Sequence, residues 1–283
     1  MPYGMCLVNF VQNYLPPGSK LIELEKPYKR PALIMADLDG DGIEEIIAVY
    51  KWQGETYVIV LKNHWGNWYV LGNIKGKGYN VSYLNAARIT PKNINSLIIG
   101  WQFGSIWSEL GILQWTPHGF KHIIPQNIYY SKIQVEDMPG IHGKDGVYEI
   151  ALWVHDTGEA YKVQVYRWKD GSLVPYPEVY HYYFKKVAAY YEEKVKQMPK
   201  ATFYWYYLAD AQLKAGMFYE ALKSVNMAMS LGYDYPSKED LAKLKEEILV
   251  KLKTRSSNLY PAAIKTVEGT KWGYIDNGGT VNK

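Results

Sequence analysis

The sequence predicts a mainly β chain followed by an all-α segment. The β part reads as three propeller-type, four-stranded repeats in an open or incomplete propeller. Three observations carry this. The stretch Asp37-Leu38-Asp39-Gly40-Asp41-Gly42-Ile43-Glu44-Glu45-Ile46-Ile47 returns in outline as Arg88–Ile99, and Asp145–Leu152 matches Asp41–Ala48. A period of roughly 50 residues with several short strands per unit is that of a propeller blade. After Tyr183 the apolar spacing changes from that of strands to that of helices. The expected divisions are residues 1–30, 31–184, 185–255 and 256–283.

Totals bound the function. A chain of 283 residues has room for about two domains. The net charge of +4 is mild and no basic run is interleaved with aromatics, which disfavours nucleic acid as a partner. No apolar run is long enough for a membrane span. One cysteine, Cys6, excludes an internal disulfide and a cysteine-rich zinc site. There are 27 Tyr and 10 Trp against 6 Phe, a composition suited to strands and half-wet surfaces. No signal peptide is visible, which points to cytoplasm if Met1 is the true start, and to the envelope or exterior if a signal lies upstream.

In chain order, Met5–Tyr14 reads as a short apolar helix halted by Pro16-Pro17-Gly18, placed to cap a sheet edge. A strand follows at Lys20–Leu24. The first repeat has strands near Pro31–Asp37, Glu45–Lys51, Thr56–Asn63 and Asn67–Asn73. The second has them near Asn85–Ile89, Ser96–Trp101, Leu110–Thr116 and Phe120–Pro125. The third has them near Lys132–Glu136, Tyr148–Val154, Tyr161–Trp168 and Ser172–Tyr176. Gly54, Gly66, Pro117, Gly158 and Asp170-Gly171 mark the turns. Trp65, Trp115 and Trp168 close corresponding strands. Lys162 and Gln164 mark the solvent side of theirs.

Tyr183–Gln197 is an amphipathic helix ended at Met198-Pro199. Trp205, Leu208, Ala209, Gly216, Phe218, Ala221 and Ala228 then fall at the intervals of a helix-turn-helix repeat. Residues 202–235 resemble a tetratricopeptide unit, departing from it at Gln212, where the pattern has an aromatic, and at the late Pro236. The resemblance implies a concave face for a protein or peptide partner lined by Phe203, Tyr206, Asp210, Leu213 and Lys214. Ser237–Lys253 is a further helix with a capping-box spacing at Ser237 and Asp240. Ile264–Asp276 with Gly278 resembles the start of a WG repeat, a partial unit expected to be loosely ordered.

The acidic stretch around Asp39 has the chemistry of a calcium loop. Calcium takes six to eight oxygens, and Asp37, Asp39, Asp41, the Ile43 carbonyl and Glu45 could supply them around two permissive glycines. A polar turn between strands explains the same residues. Arg88, Thr90, Lys92 and Ser96 cannot hold calcium, so one structural calcium loop is expected at most. Residues 31–184, through Asp37-Leu38-Asp39-Gly40-Asp41-Gly42, resemble FG-GAP or VCBS-type repeats, and the whole chain resembles bacterial repeat proteins of the Firmicutes kind. This implies a non-catalytic scaffold for protein–protein interaction. The alternative is a carbohydrate-binding or glycoside-cleaving protein using aromatic stacking on a blade face. The six histidines are scattered and no HExxH, GxSxG or phosphate-cradling loop is present, so the chain reads as no enzyme.

Overall fold

The computed structural model describes residues 3–232, 235–257, 260–266, 269–275 and 281–282, with side chains for 7–232 and 235–254. It is mainly β, with antiparallel sheets that do not close, and a helical segment toward the C-terminus. Two compact units divide the chain, Met1–Val179 and Tyr180–Lys283, a boundary slightly before the expected one.

The first unit opens with α1 (Tyr3–Gln12) and the short strands β1 (Lys20–Leu21), β2 (Glu23–Leu24) and β3 (Arg30–Pro31), where one strand was expected over 20–24. Then come β4 (Leu33–Ala36), β5 (Glu45–Trp52), β6 (Glu55–His64) and β7 (Asn67–Lys75). β5, β6 and β7 are consecutive antiparallel neighbours, and β1 and β4 share the outer side of β5. The second sheet runs β8 (Asn80–Ala87), β9 (Ser96–Gln102), β10 (Ser108–Thr116), β11 (Gly119–His122), with β12 (Tyr129–Tyr130) also on β10. The third is β13 (Lys132–Glu136), β14 (Glu149–His155), β15 (Tyr161–Lys169), β16 (Ser172–Pro175). In each of these three sheets four strands run up and down in chain order, and the first and second carry a fifth, β1 and β12, beyond the four expected. β8 starts earlier than its apolar residues suggest, with a bulge between Val81 and Tyr83 interrupting the alternation of its first half.

Turn chemistry sets the registers. Gln53-Gly54, Trp65-Gly66 and Asp170-Gly171 have positive φ at both residues, as two-residue hairpin turns of matching twist require. One consequence is that Trp65 stands on a hairpin tip, 90% exposed, instead of closing a packed strand.

The meanders stack through their faces. Ile47, Val49, Val58 and Val60 of the first sheet share a core with Leu84, Leu97, Ile99 and Trp101 of the second. The second sheet's other face, with Ile98, Leu110 and Ile112, meets Ile150 and Leu152 of the third. β5 is therefore buried on both faces, which is why it reads as a continuous apolar run. Its second face, Ile46, Ala48 and Tyr50, packs with Val11 and Leu15. So α1 covers a sheet face and not an edge: with both sides of β5 apolar, an edge cap would leave one side wet. Each fully buried Val, Leu or Ile contributes roughly 1.5–3 kcal/mol.

The second unit holds α2 (Tyr180–Gln197), α3 (Thr202–Lys214), α4 (Phe218–Leu231) and α5 (Lys238–Ser257), each packed on the next. Tyr191 of α2 stacks on Tyr207 of α3, ring centroids 5.7 Å apart. Ala209, Ala221 and Ala228 are fully buried, so α3 and α4 approach closely, and Gly216 turns between them at φ +78°. At Ser237 the hydroxyl accepts the Asp240 N–H at 3.1 Å and donates to its carboxylate at 2.7 Å. A last meander follows, β17 (Tyr260–Thr266), β18 (Gly269–Ile275) and β19 (Val281–Asn282). Lys271–Ile275 of the WG-like run lies in β18, while Asp276 and Gly278 fall outside the described residues.

Candidate functional site

The acidic loop joins β4 to β5 and is stapled by its own carboxylates. Asp37 accepts the Gly40 N–H at 2.7 Å and the Gly42 N–H at 2.9 Å. Asp41 accepts the Ile43 N–H at 2.8 Å. Both glycines sit at φ +85°, a conformation that disfavours side chains. Glu45, the first residue of β5, is fully buried and accepts the Leu38 N–H at 2.8 Å.

Asp37, Asp39 and Glu45 each bring one oxygen within 4.8 Å of the others, a grouping that could hold a metal ion. Asp41 borders this group. Ile43 is tied to it through its N–H, with a half-exposed side chain.

Sequence reasoning missed Lys62. Its side chain comes from β6, and its Nζ donates to Asp39, to Asp41 at 2.7 Å and to Glu45 at 3.2 Å. Burial works against the Lys62 charge, but the three carboxylates outweigh it and hold the ammonium above the usual lysine range. The hydrogen bond from Lys62 holds the Asp41 carboxyl below its ordinary value. Burial pushes Glu45 up, opposed by the Leu38 N–H and Lys62. Calcium, which the resemblance implies, would compete with this ammonium for the same oxygens. The donor set fits a metal ion only with Lys62 withdrawn.

The other two loops answer the first position by position. In the third sheet Glu149 is fully buried, accepts the Met138 N–H at 2.9 Å and pairs with Arg167 Nη1 at 2.8 Å. Arg167 Nη2 meets Asp145 at 2.5 Å. In the second sheet the corresponding residues are neutral: Gln114 donates to Thr90 at 2.9 Å and to Ser96 at 3.5 Å. The registers place Glu45 opposite Lys62, Ser96 opposite Gln114 and Glu149 opposite Arg167, each one step beyond the last paired residues. The loops also touch in series. Asn95 donates to the Asp37 carbonyl at 2.9 Å, and Arg88 to the Asp145 carbonyl at 3.5 Å.

In the helical unit, Phe203, Tyr206, Asp210, Leu213 and Lys214 are all half-buried and fall on one stripe of α3. Lys214 pairs with Asp210 at 2.7 Å and lies over the Phe184 ring at 5.0 Å. Leu213 and Tyr206 also pack against the α3–α5 core. Burial pushes the Tyr206 phenol up to about 12, helped by Asp210, Asp240 and Glu247. Gln212, where a tetratricopeptide unit would have an aromatic, is buried and accepts the Ser224 hydroxyl at 2.7 Å. A scan against protein-family models returns no match, and neither does a sequence comparison with curated proteins.

Proposed function

We propose that the chain is a non-catalytic interaction protein. In this reading the three meanders are propeller-type blades of FG-GAP or VCBS kind, forming an open, rigid support. The tetratricopeptide-like helices present the α3 stripe to a protein or peptide partner. The observation that carries the reading is the stripe itself: two aromatic rings, Phe203 and Tyr206, left half-exposed beside the Asp210–Lys214 ion pair, with Asp240 and Glu247 acting on Tyr206. Half-exposed rings next to carboxylates suit a segment that offers an apolar side chain followed by Lys or Arg.

Selection of a displayed peptide library on the immobilised full chain tests this. Enrichment of basic–apolar peptides, abolished by Tyr206→Ala and weakened by Asp210→Asn, is the expected result. Enrichment indifferent to both substitutions, or none at all, removes the reading. A carbohydrate-binding surface is the alternative. It is favoured by Phe103 and Tyr129, which are each about half exposed with ring centroids 6.2 Å apart. Soaking with glycan fragments should leave these rings bare if the peptide reading holds.

A further inference from the structure

We propose that a lysine does the work of calcium in this chain: the Lys62 ammonium permanently fills the carboxylate cluster of the first loop, which is therefore metal-independent. The first support is geometric. Lys62 contacts Asp39, Asp41 and Glu45, while its side chain is only 8% exposed. An ion entering among Asp37, Asp39 and Glu45 would have to expel an ammonium already hydrogen-bonded to two of those three residues. The expelled group would need a route to water from a nearly buried position. Calcium offers two charges and needs six or more oxygens.

The second support is independent of the first loop. The chain repeats the same design three times and varies it in a correlated way. Where the first residue of the second strand is a buried glutamate, the residue opposite is a cation: Glu45 with Lys62, and Glu149 with Arg167. Where it is Ser96, the residue opposite is the neutral Gln114. A buried carboxylate without a partner is strongly destabilising, and so is a buried cation alone. Each of the three pairs avoids both conditions through its own two side chains. Lys62 is thus one member of a rule of cross-strand pairing, and the Asn95 and Arg88 contacts join the three loops into one row. Loops held this way stay ordered where calcium is scarce. The inference concerns the β unit and does not rest on the peptide reading of the helices.

The test compares the wild type with Lys62→Gln and with the double variant Glu45→Gln/Lys62→Gln, which copies the neutrality of Ser96 and Gln114. Each is melted in chelator and in calcium at about 1 mM, the range of weak extracellular sites, and the wild type is also titrated with calcium by calorimetry. The expected result is no saturable heat, a wild-type melting temperature unchanged between chelator and calcium, and a double variant that melts above the single one. One-site calcium binding by the wild type, lost in Asp39→Ala, would overturn the proposal. So would a double variant that melts no higher than Lys62→Gln. If Lys62→Gln does not fold while the double variant does, the same ordering has been observed.

Discussion

Glu149 and Arg167 face each other across β14 and β15, with Nη1 2.8 Å from a carboxylate oxygen that has no access to solvent. They occupy the register position that Glu45 and Lys62 hold in the first sheet. Arg167 is further fixed by Asp145 and by the Tyr176 ring, 4.9 Å from the guanidinium carbon. The third loop has thereby kept the arrangement of the first while exchanging an ammonium for a guanidinium, whose planar fork reaches two carboxylates at once.

The Glu149 carboxyl makes the stability of the β unit depend on pH. Burial pushes it up to about 7, with Asp145 and Asp137 adding to the rise and the Met138 N–H and Arg167 opposing it. Between the ordinary value of 4.5 and about 7, the folded state holds a proton that the unfolded chain has released. Stability from this group is therefore complete at acid pH and is lost as pH rises through that window, at up to about 1.4 kcal/mol per pH unit. Urea unfolding at a series of pH values should show this slope in the wild type and a flatter one in Glu149→Gln. Equal slopes would show that Glu149 titrates alike in both states.

Removing the cation should cost more than removing the charge pair. Arg167→Met leaves Glu149 buried opposite an apolar side chain, a change worth about 3–5 kcal/mol when the carboxyl is ionised. The loss should be largest above pH 7 and smaller near pH 5, where Glu149 can take up a proton. Adding Glu149→Gln to Arg167→Met should recover much of it. A loss that is the same at both pH values would mean that Arg167 acts through Asp145 or through packing on Tyr176 and not through Glu149.

In the helical unit the buried Gln212 and Ser224 are joined by a hydrogen bond of 2.7 Å. Ser224→Ala leaves the Gln212 oxygen buried without that donor, at a cost of about 1–3 kcal/mol. Gln212→Met combined with Ser224→Ala should be milder than Ser224→Ala alone, because no polar atom is then left behind. Thermal melts of the three variants measure the ordering directly.

Most of the strand plan was legible because turn residues and apolar alternation act locally. Lys132–Glu136 is found as read, and Glu45, Ser96 and Tyr161 open their strands where expected. The acidic loop was legible as a cluster, since Asp37, Asp39 and Glu45 are near in sequence and meet in space. Lys62 was not, because its role depends on register. The information was present: the Gln53-Gly54 turn fixes which residue of β6 lies opposite Glu45. A search for ligands among carboxylates alone passes over a lysine on the next strand. The face covered by α1 was missed for another reason. An apolar helix beside a sheet fits an edge or a face equally well until the second side of β5 is recognised as apolar.

Two glycines make room for one indole where the first and second sheets meet. Trp101 is 4% exposed within the core these sheets share. A methyl group on Gly111 would stand 2.6 Å from its Nε1, and one on Gly76 would stand 2.3 Å from Cζ3. Neither glycine has positive φ, so the constraint is space and not backbone conformation. The indole is rigid and enclosed, so it cannot yield as a flexible chain end would. Gly111→Ala should cost about 1–3 kcal/mol through overpacking, and Trp101→Ala about 3–5 kcal/mol through the cavity it leaves. The sharper test is the pair Gly111→Ala with Trp101→Phe, in which the smaller ring gives back the volume the methyl takes. Its loss, measured by urea unfolding, should be well below the sum of the losses of Gly111→Ala and Trp101→Phe made singly. Strict additivity would mean that the indole does not touch the Gly111 backbone and that the sheets meet on other contacts.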